Sequence, residues 1–181
     1  MLSKMDKTKI AVDVITHFRR PNPGLLIWLH QHNMDVREVV GHYDVCHVRR
    51  QSMYNFVEND IPRGYQYLLQ IDEDIVPDTD GILAEPGDLV YCGYVGRQGH
   101  RGHHGNNDFG CGCARYSAEL AQKVDLMQAF HFSFDSTGTV LTSCECNNFQ
   151  AHARTLGYAP KMVGIAGHLI SVVAKPGRAI K

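Results

Sequence analysis

Apolar positions recur in blocks along this chain, and their spacing alternates between strand and helix. Lys9 to Phe18 reads as a first strand, and the loop Arg19 to Pro23, with its two prolines and Gly24, marks a sharp exit. Leu25, Leu26, Trp28 and Leu29 form the core stripe of a short helix. A second strand is expected around Glu38 to Val45. Met53, Phe56 and Val57 then lie at helical spacing in QSMYNFVEND, a helix closed by Pro62. Tyr67, Leu68, Leu69 and Ile71 give a third strand buried on both faces. Strand, helix, strand, helix, strand in this order predicts a parallel sheet with helices packed on it.

Further along, Gly87 to Val95 reads as another strand. Gly96 to Asp108, GRQGHRGHHGNND, has no periodicity and reads as a surface loop. Cys111 to Tyr116 is a candidate strand, followed by a helix capped by Ser117 and running through Leu120 and Val124. A later helix spans about Asn147 to Leu156, with Phe149, Ala153 and Leu156 on one face and Gly157 as its stop. A last strand near Lys161 to Ile165 leads into Gly167-His168. No repeat or linker interrupts the series, so one domain over residues 1–181 is expected.

The third strand, in YLLQIDEDIVP, ends on Asp72 and Asp74 with Glu73 between them. In an open α/β sheet that end of a strand is where ligands bind. Carboxylates this close raise each other's pKa unless a positive charge separates them, and a hard divalent ion is the usual solution. Taken alone, acids at a strand end are as often solvated turn residues.

A formal net charge of −1 and a pI near 6.8 argue against a general nucleic-acid footprint. Asp13 interrupts the first apolar segment and no cleavage site follows, so the N-terminus reads as a strand and not a signal peptide. The longest apolar run of this kind, Gly24 to Leu29, is far short of the ~18 residues that span a bilayer. A soluble, cytoplasmic protein is expected. Without an export signal the six cysteines are expected reduced. The pairs Cys111/Cys113 and Cys144/Cys146 are tighter than the C-x2-4-C of structural zinc sites. They read first as small buried residues and second as zinc ligands.

From Lys9 to Ile170 the chain resembles nucleotide-sugar-dependent glycosyltransferases of the GT-A fold. The resemblance rests on the D-x-D motif ending an apolar strand; on Arg50-Gln51 where the family has Arg-Asn opening the preceding helix; and on Glu145, Phe149, Ala153 and Gly157 in the frame E-D-x-x-(F/L)-x-x-R-A-x-x-x-G. It rests also on His168 after the last core strand. It implies a three-layer α/β/α sandwich with a mostly parallel, Rossmann-like sheet. It further implies metal ligation by Asp74 and His168, with Mn2+ or Mg2+ as cofactor, and donor-nucleotide contacts from Thr16, Asp44, Arg50 and Asp72. The expected substrates are a UDP- or GDP-sugar donor and a hydroxyl acceptor. Cys146 stands where the family has the aspartate that often acts as general base, and His152 where it has arginine. A thiol of ordinary pKa, about 8.5, is mostly protonated at neutral pH, which leaves Glu145 as the candidate base.

Each of these residues also has a plainer reading. Glu145 suits a helix N-terminus, Arg50 a helix surface, and His168 a hydrogen-bonded core position. His100, His103 and His104 read as loop residues. Two other functions compete. One is a non-catalytic module on the same scaffold, favoured by Cys146 and by the small size. The other is a haloacid-dehalogenase-type phosphatase with Asp72 as nucleophile. The phosphatase motif belongs on a first strand and needs a later lysine and a downstream acidic pair; here it ends the third strand and no paired aspartates follow in the C-terminal half.

Overall fold

A computed structural model describes residues 9–16, 20–40, 44–94 and 109–168. In chain order the elements are β1 (Ile10–Thr16), α1 (Pro23–Gln31), β2 (Val36–Val40), α2 (Val45–Asn55), β3 (Tyr67–Asp72), β4 (Ile75–Pro77), α3 (Gly81–Ala84) and β5 (Leu89–Tyr94). They continue with β6 (Cys113–Ser117), α4 (Ala118–Lys123), α5 (Leu126–Ala129), β7 (Ser133–Phe134), β8 (Leu141–Ser143), α6 (Glu145–Thr155) and β9 (Lys161–His168). The His-rich stretch 96–108 lies outside the described residues.

Seven strands form one sheet in the order β2-β1-β3-β6-β5-β9-β4, and β7 pairs with β8 separately. β1 is parallel to β2 and to β3, and β5 is parallel to β9. β6 runs antiparallel to both β3 and β5, and β4 antiparallel to β9. Most strands therefore point one way, but the sheet is mixed rather than purely parallel. The reason is connectivity: β5 and β6 are sequential antiparallel neighbours, a pairing that needs no crossover helix, whereas parallel neighbours do.

Helices cover both faces, giving the expected three layers. On one face Ala11, Leu68 and Tyr116 of the sheet pack with Met53 and Phe56 from α2 and its extension, Leu120 of α4, and Phe149 and Ala153 of α6. Phe149 sits at the centre of an aromatic cluster, with ring centroids 4.8 Å from Phe130, 5.0 Å from Tyr116 and 5.9 Å from Phe109. On the other face Val12, Val14, Leu69 and Ile71 pack with Leu25, Trp28 and Leu29 of α1 and Ile82 and Leu83 of α3. Every residue of β1 is buried, which is why its apolar run does not alternate with polar residues.

Asp13 is the exception inside that strand, and it is buried completely. Arg37 Nε donates to its Oδ1 at 2.7 Å and Ser52 Oγ to its Oδ2 at 2.6 Å, so the carboxylate joins β1 to β2 and α2. Gln70 Nε2 extends the network from β3 by donating to Ser52 Oγ at 2.8 Å. Arg37 also reaches Asp60 Oδ2 at 2.7 Å. Buried polar groups linked in this way fix the stacking of α2 on the sheet.

Several boundaries differ from the sequence expectation. The second strand stops at Val40, and Asp44 and Val45 instead open α2, because the Asp44 carboxylate caps the helix by accepting the Cys46 N–H at 2.9 Å. α2 does not end at a clean cap. It continues as a π-turn over Phe56–Asp60 and a 3-10 turn containing Pro62, and Gly64 at φ 94° then reverses the chain. Ser117 caps α4 as expected, accepting from Leu120 N. α6 begins at Glu145, two residues earlier than its apolar face implied, and Gly157 ends it at φ 89°. Short elements such as β4, α3 and the β7–β8 pair carry too few residues to show a period. Among the described residues no helix is long and apolar enough to cross a membrane.

Candidate functional site

The acidic motif leaves the sheet where three other segments converge. Asp72 pairs with Ile15 of β1 and donates its N–H to Gly112 O at 2.8 Å, just ahead of β6. Glu73 N donates to Ile15 O at 3.0 Å, and Glu73 O accepts from Asn22 N at 2.7 Å. Asn22 also caps α1 through its side chain, so the turn is locked to the first strand-to-helix connection. The chain then turns at Glu73–Asp74 into β4, where Ile75 pairs with His168 at the end of β9. The backbone of His168 is thereby placed one residue from Asp74, although the two are far apart in sequence. Glu73 is buried and Asp74 half-buried. Thr16, the last residue of β1, ends at the same edge with its Oγ1 buried and without a hydrogen-bond partner.

Arg49 organises the other side of the motif. It is 1% exposed, projects from the middle of α2, and donates from Nη2 to Asp72 Oδ1 at 2.7 Å and from Nη1 to Cys111 O at 2.9 Å. Its Nε lies 4.0 Å from Glu145 Oε1. Burial alone would lower the guanidinium's pKa; Asp72 first, then Cys111, Cys146 and Glu145, hold it well above the ordinary arginine value. One fixed positive charge thus faces the strand-end aspartate and the acid at the start of α6 together.

Glu145 is 9% exposed and sits in the first turn of α6, where an acid complements the helix dipole. Cys146 beside it accepts a hydrogen bond from Cys111 N at 3.1 Å, and its Sγ lies 3.6 Å from Glu145 Oε1. Hydrogen bonds with the thiols of Cys111 and Cys144, with burial added, push the Cys146 thiol well above its ordinary pKa. Cys146 is therefore held as a neutral thiol and is no substitute for an aspartate base.

Arg50 and Asp44 are placed differently from expectation. Arg50 does not open its helix; it lies six residues after the Asp44 cap, donates from Nη1 to Phe130 O at 3.0 Å, and stands 3.6 Å from Asp44 Oδ2. The pair borders the Glu145 side of the cluster through Cys46, whose thiol is pushed up to about 12 by burial and then by Glu145 and Asp44. The arginine that meets Asp72 is its neighbour, Arg49. A signal for it exists in the sequence, since Cys46, Arg49, Met53 and Phe56 fall on one helical stripe. A cation on an apolar stripe must find buried partners. Cys111 was legible only as half of a C-x-C pair.

No family model matches the chain, and no curated protein sequence matches it. Solved structures do. The crystal structure of A197 from STIV superposes with a TM-score of 0.63 at 18% identity, covering 89% of this chain and 86% of that one. The catalytic domain of Drosophila β1,4-galactosyltransferase 7, in complex with xylobiose, gives 0.53 at 16% identity over 94% of this chain and 75% of that one. A glycosyltransferase involved in glycosylation of the major capsid of PBCV-1 gives 0.51 at 9% identity over 85% and 82%. The fold is glycosyltransferase-like. At such identities the likeness describes the scaffold and leaves the chemistry to the residues of this chain. In this glycosyltransferase-like fold, Asp72, Asp74, Thr16 and the backbone of His168 gather at one edge of the sheet. Arg49 bridges that edge to Glu145.

Proposed function

We propose that the protein is a glycosyltransferase that moves a sugar from a nucleoside diphosphate donor, a UDP- or GDP-sugar, to a hydroxyl acceptor. The observation that carries this reading is the register of β4 on β9. Pairing of Ile75 with His168 brings the D-x-D motif that ends β3, Asp72-Glu73-Asp74, and a histidine to one edge of a glycosyltransferase-like sheet.

The donor set suits Mn2+ or Mg2+: a half-buried carboxylate on Asp74 and an imidazole-bearing residue beside it, with room in such a shell for diphosphate oxygens and water. When bound, the ion supplies charge neutralisation for the departing diphosphate. The chain does the rest. Asp74 and His168 would hold the ion. Asp72, with Oδ1 committed to Arg49, keeps Oδ2 for the ribose or a water. Thr16, at the adjoining strand end, has a buried hydroxyl able to turn toward the same ligand. Asp44 and Arg50, bordering the cluster, remain candidates for the outer part of the nucleotide. Glu145 would take the proton from the acceptor hydroxyl, with Arg49 orienting its carboxylate.

The test is a thermal melt with UDP, GDP and their sugars in Mn2+ and in chelator, together with turnover of each nucleotide sugar. A metal-dependent rise in Tm and turnover that Asp74→Ala removes are expected. Equal turnover by wild type and Asp74→Ala would sink the role given to Asp74.

A second reading, a binding module without catalysis, is favoured by the burial of Glu145 and the neutral thiol of Cys146 in the expected base position. It predicts the same metal-dependent rise in Tm with no transfer to any hydroxyl acceptor.

A further inference from the structure

Of the six phenylalanines among the described residues, four are buried in the core and two, Phe132 and Phe134, stand in solvent at 38% and 53% exposure. They lie two residues apart where the chain enters β7, so strand alternation turns them to one side. Ser133 between them faces the other way, its Oγ accepting from Asn148 Nδ2 of α6 at 3.1 Å. Asn148 Nδ2 also donates to His131 O at 2.7 Å, and Arg50 Nη1 to Phe130 O at 3.0 Å. The hairpin β7–β8 is thereby anchored to the start of α6 and to α2 with its aromatic side outward. Leu141, opposite Phe134 on β8, shares that side. Four of the ten exposed large apolar side chains among the described residues fall within 127–140, so the exposure is concentrated in one segment and not scattered singly.

Charge and polar composition narrow what such a face can take. No Lys or Arg occurs from Val124 to Ala153, so nothing local draws a phosphate, an anionic lipid headgroup or a sulfated chain. Hydroxyls surround the rings instead: six of the eleven residues 133–143 are Ser or Thr. A pyranose ring has a face of C–H groups and an equator of hydroxyls. Its polarised C–H groups suit the negative π-face of phenylalanine, and its hydroxyls exchange hydrogen bonds with Ser and Thr, which both donate and accept. The tip of the hairpin is already fixed. The Asp135 carboxylate accepts from Thr137 Oγ1 at 2.8 Å, Thr139 N at 3.0 Å and Val140 N at 3.2 Å, which lowers the ordering cost of binding.

We propose that Phe132 and Phe134 form an outer subsite for a neutral oligosaccharide acceptor, holding a sugar ring remote from the point of transfer. The inference rests on the transferase reading for the reacting end and names the acceptor class that reading leaves open. Placement follows from the chain. β8 ends at Ser143, two residues before Glu145, and Leu141, opposite Phe134, is four residues before it. Four residues reach at most about 14 Å, and paired strands stand about 5 Å apart. Both spans together are within the length of a few linked sugar rings, so an oligosaccharide with its hydroxyl at Glu145 also lies on Phe134. Glu145 keeps its role as base. The two phenylalanines touch no reacting bond; they select the acceptor by binding it, and their effect falls on acceptor KM.

The test is saturation-transfer NMR on the whole chain with cellotetraose, maltotetraose, mannotetraose and chitotetraose as probes and glucose as the short comparator. At least one tetrasaccharide is expected to bind, with transfer from aromatic protons, and more tightly than glucose. Phe132→Ala and Phe134→Ala should each weaken that binding by about three- to tenfold. Phe134→Leu, which keeps an apolar surface without a ring, should weaken it as much, and Phe134→Trp should retain it. Met162→Ala, at an exposed apolar position on β9, is the control with unchanged binding. Circular dichroism verifies the fold of each variant. Acceptor KM in Phe134→Ala should rise by the same factor as the binding loss. If no nucleotide sugar is turned over but Phe134→Ala weakens tetrasaccharide binding, the transferase reading fails and the subsite stands. If transfer proceeds and neither binding nor KM responds to the phenylalanines, the subsite fails and the transferase reading stands. Absence of binding by all four tetrasaccharides overturns the subsite. So does attachment to phosphatidylcholine vesicles, or self-association in sedimentation, that Phe134→Ala removes and Phe134→Leu keeps.

Discussion

Arg49 donates from Nη2 to Asp72 Oδ1 across 2.7 Å, and this contact joins helix α2 to the end of the central strand β3. The guanidinium is buried, so its charge is balanced only by the acids around it, Asp72 in contact and Glu145 at 4.0 Å. Both halves of the candidate site are held by this one side chain.

Replacing Arg49 with methionine, close in length but uncharged, should therefore leave two acids facing a buried space without a cation. The expected loss is about 3–5 kcal/mol, the range for breaking a buried ion pair from one side. Arg50→Ala, next in sequence, removes one part-buried hydrogen bond and a loose ion pair and should cost about 1 kcal/mol. Urea denaturation of the two variants distinguishes them; equal losses would contradict the central place of Arg49.

Glu145→Gln keeps the shape and one acceptor oxygen but cannot accept a proton. If Glu145 is the base, turnover falls by roughly 10²–10⁴-fold while the metal-dependent donor shift in Tm stays. Turnover within a few-fold of wild type would assign the proton to another group.

Asp13 provides a pH dependence. Burial raises its pKa above the ordinary aspartate value, and the hydrogen bonds from Arg37 and Ser52 offset only part of this. A carboxyl that ionises less readily in the folded chain than in the unfolded one favours folding while protonated. Its contribution is full below the unfolded pKa and is lost as pH rises through the higher folded value. The stability of wild type relative to Asp13→Asn, which has no proton to lose there, should fall as pH rises from about 4, the ordinary aspartate value, through the higher folded value. A relative stability that rises over this range would mean that Arg37 and Ser52 outweigh burial.

Phe149 touches Phe109, Tyr116 and Phe130 and is fully buried, so its removal empties the centre of one sheet face. Phe149→Ala should cost about 3–5 kcal/mol in a chemical melt. It should also loosen the start of α6, read as faster amide exchange across 145–149.

Most of the core strands and the longer helices were legible in the chain, because burial on one face or two imposes a period. The runs at Ile10–Thr16 and Tyr67–Asp72, and the stripe Phe149, Ala153, needed no tertiary knowledge. The start of α2 was misplaced because Asp44 acts through its cap and not through hydrophobicity. Short strands were invisible for want of length. The mixed direction of the sheet was equally hidden, since a strand buried on both faces reads the same whichever way it runs.

The site divides along the same line. By itself the sequence determined that two aspartates leave a buried strand together, since an apolar run followed by acids can end only at a sheet edge or in a turn. Only the tertiary structure decided what stands opposite them. Arg49 rather than Arg50 faces Asp72 because a helix turns about 100° per residue, so adjacent residues point to different sides. His168 comes beside Asp74 through the pairing of β4 with β9, and Cys111 meets Cys146 through the packing of α6 against the turn before β6. These are contacts between residues dozens of positions apart. Local periodicity carries no information on them, because they are selected by the burial of whole faces and not by neighbours along the chain.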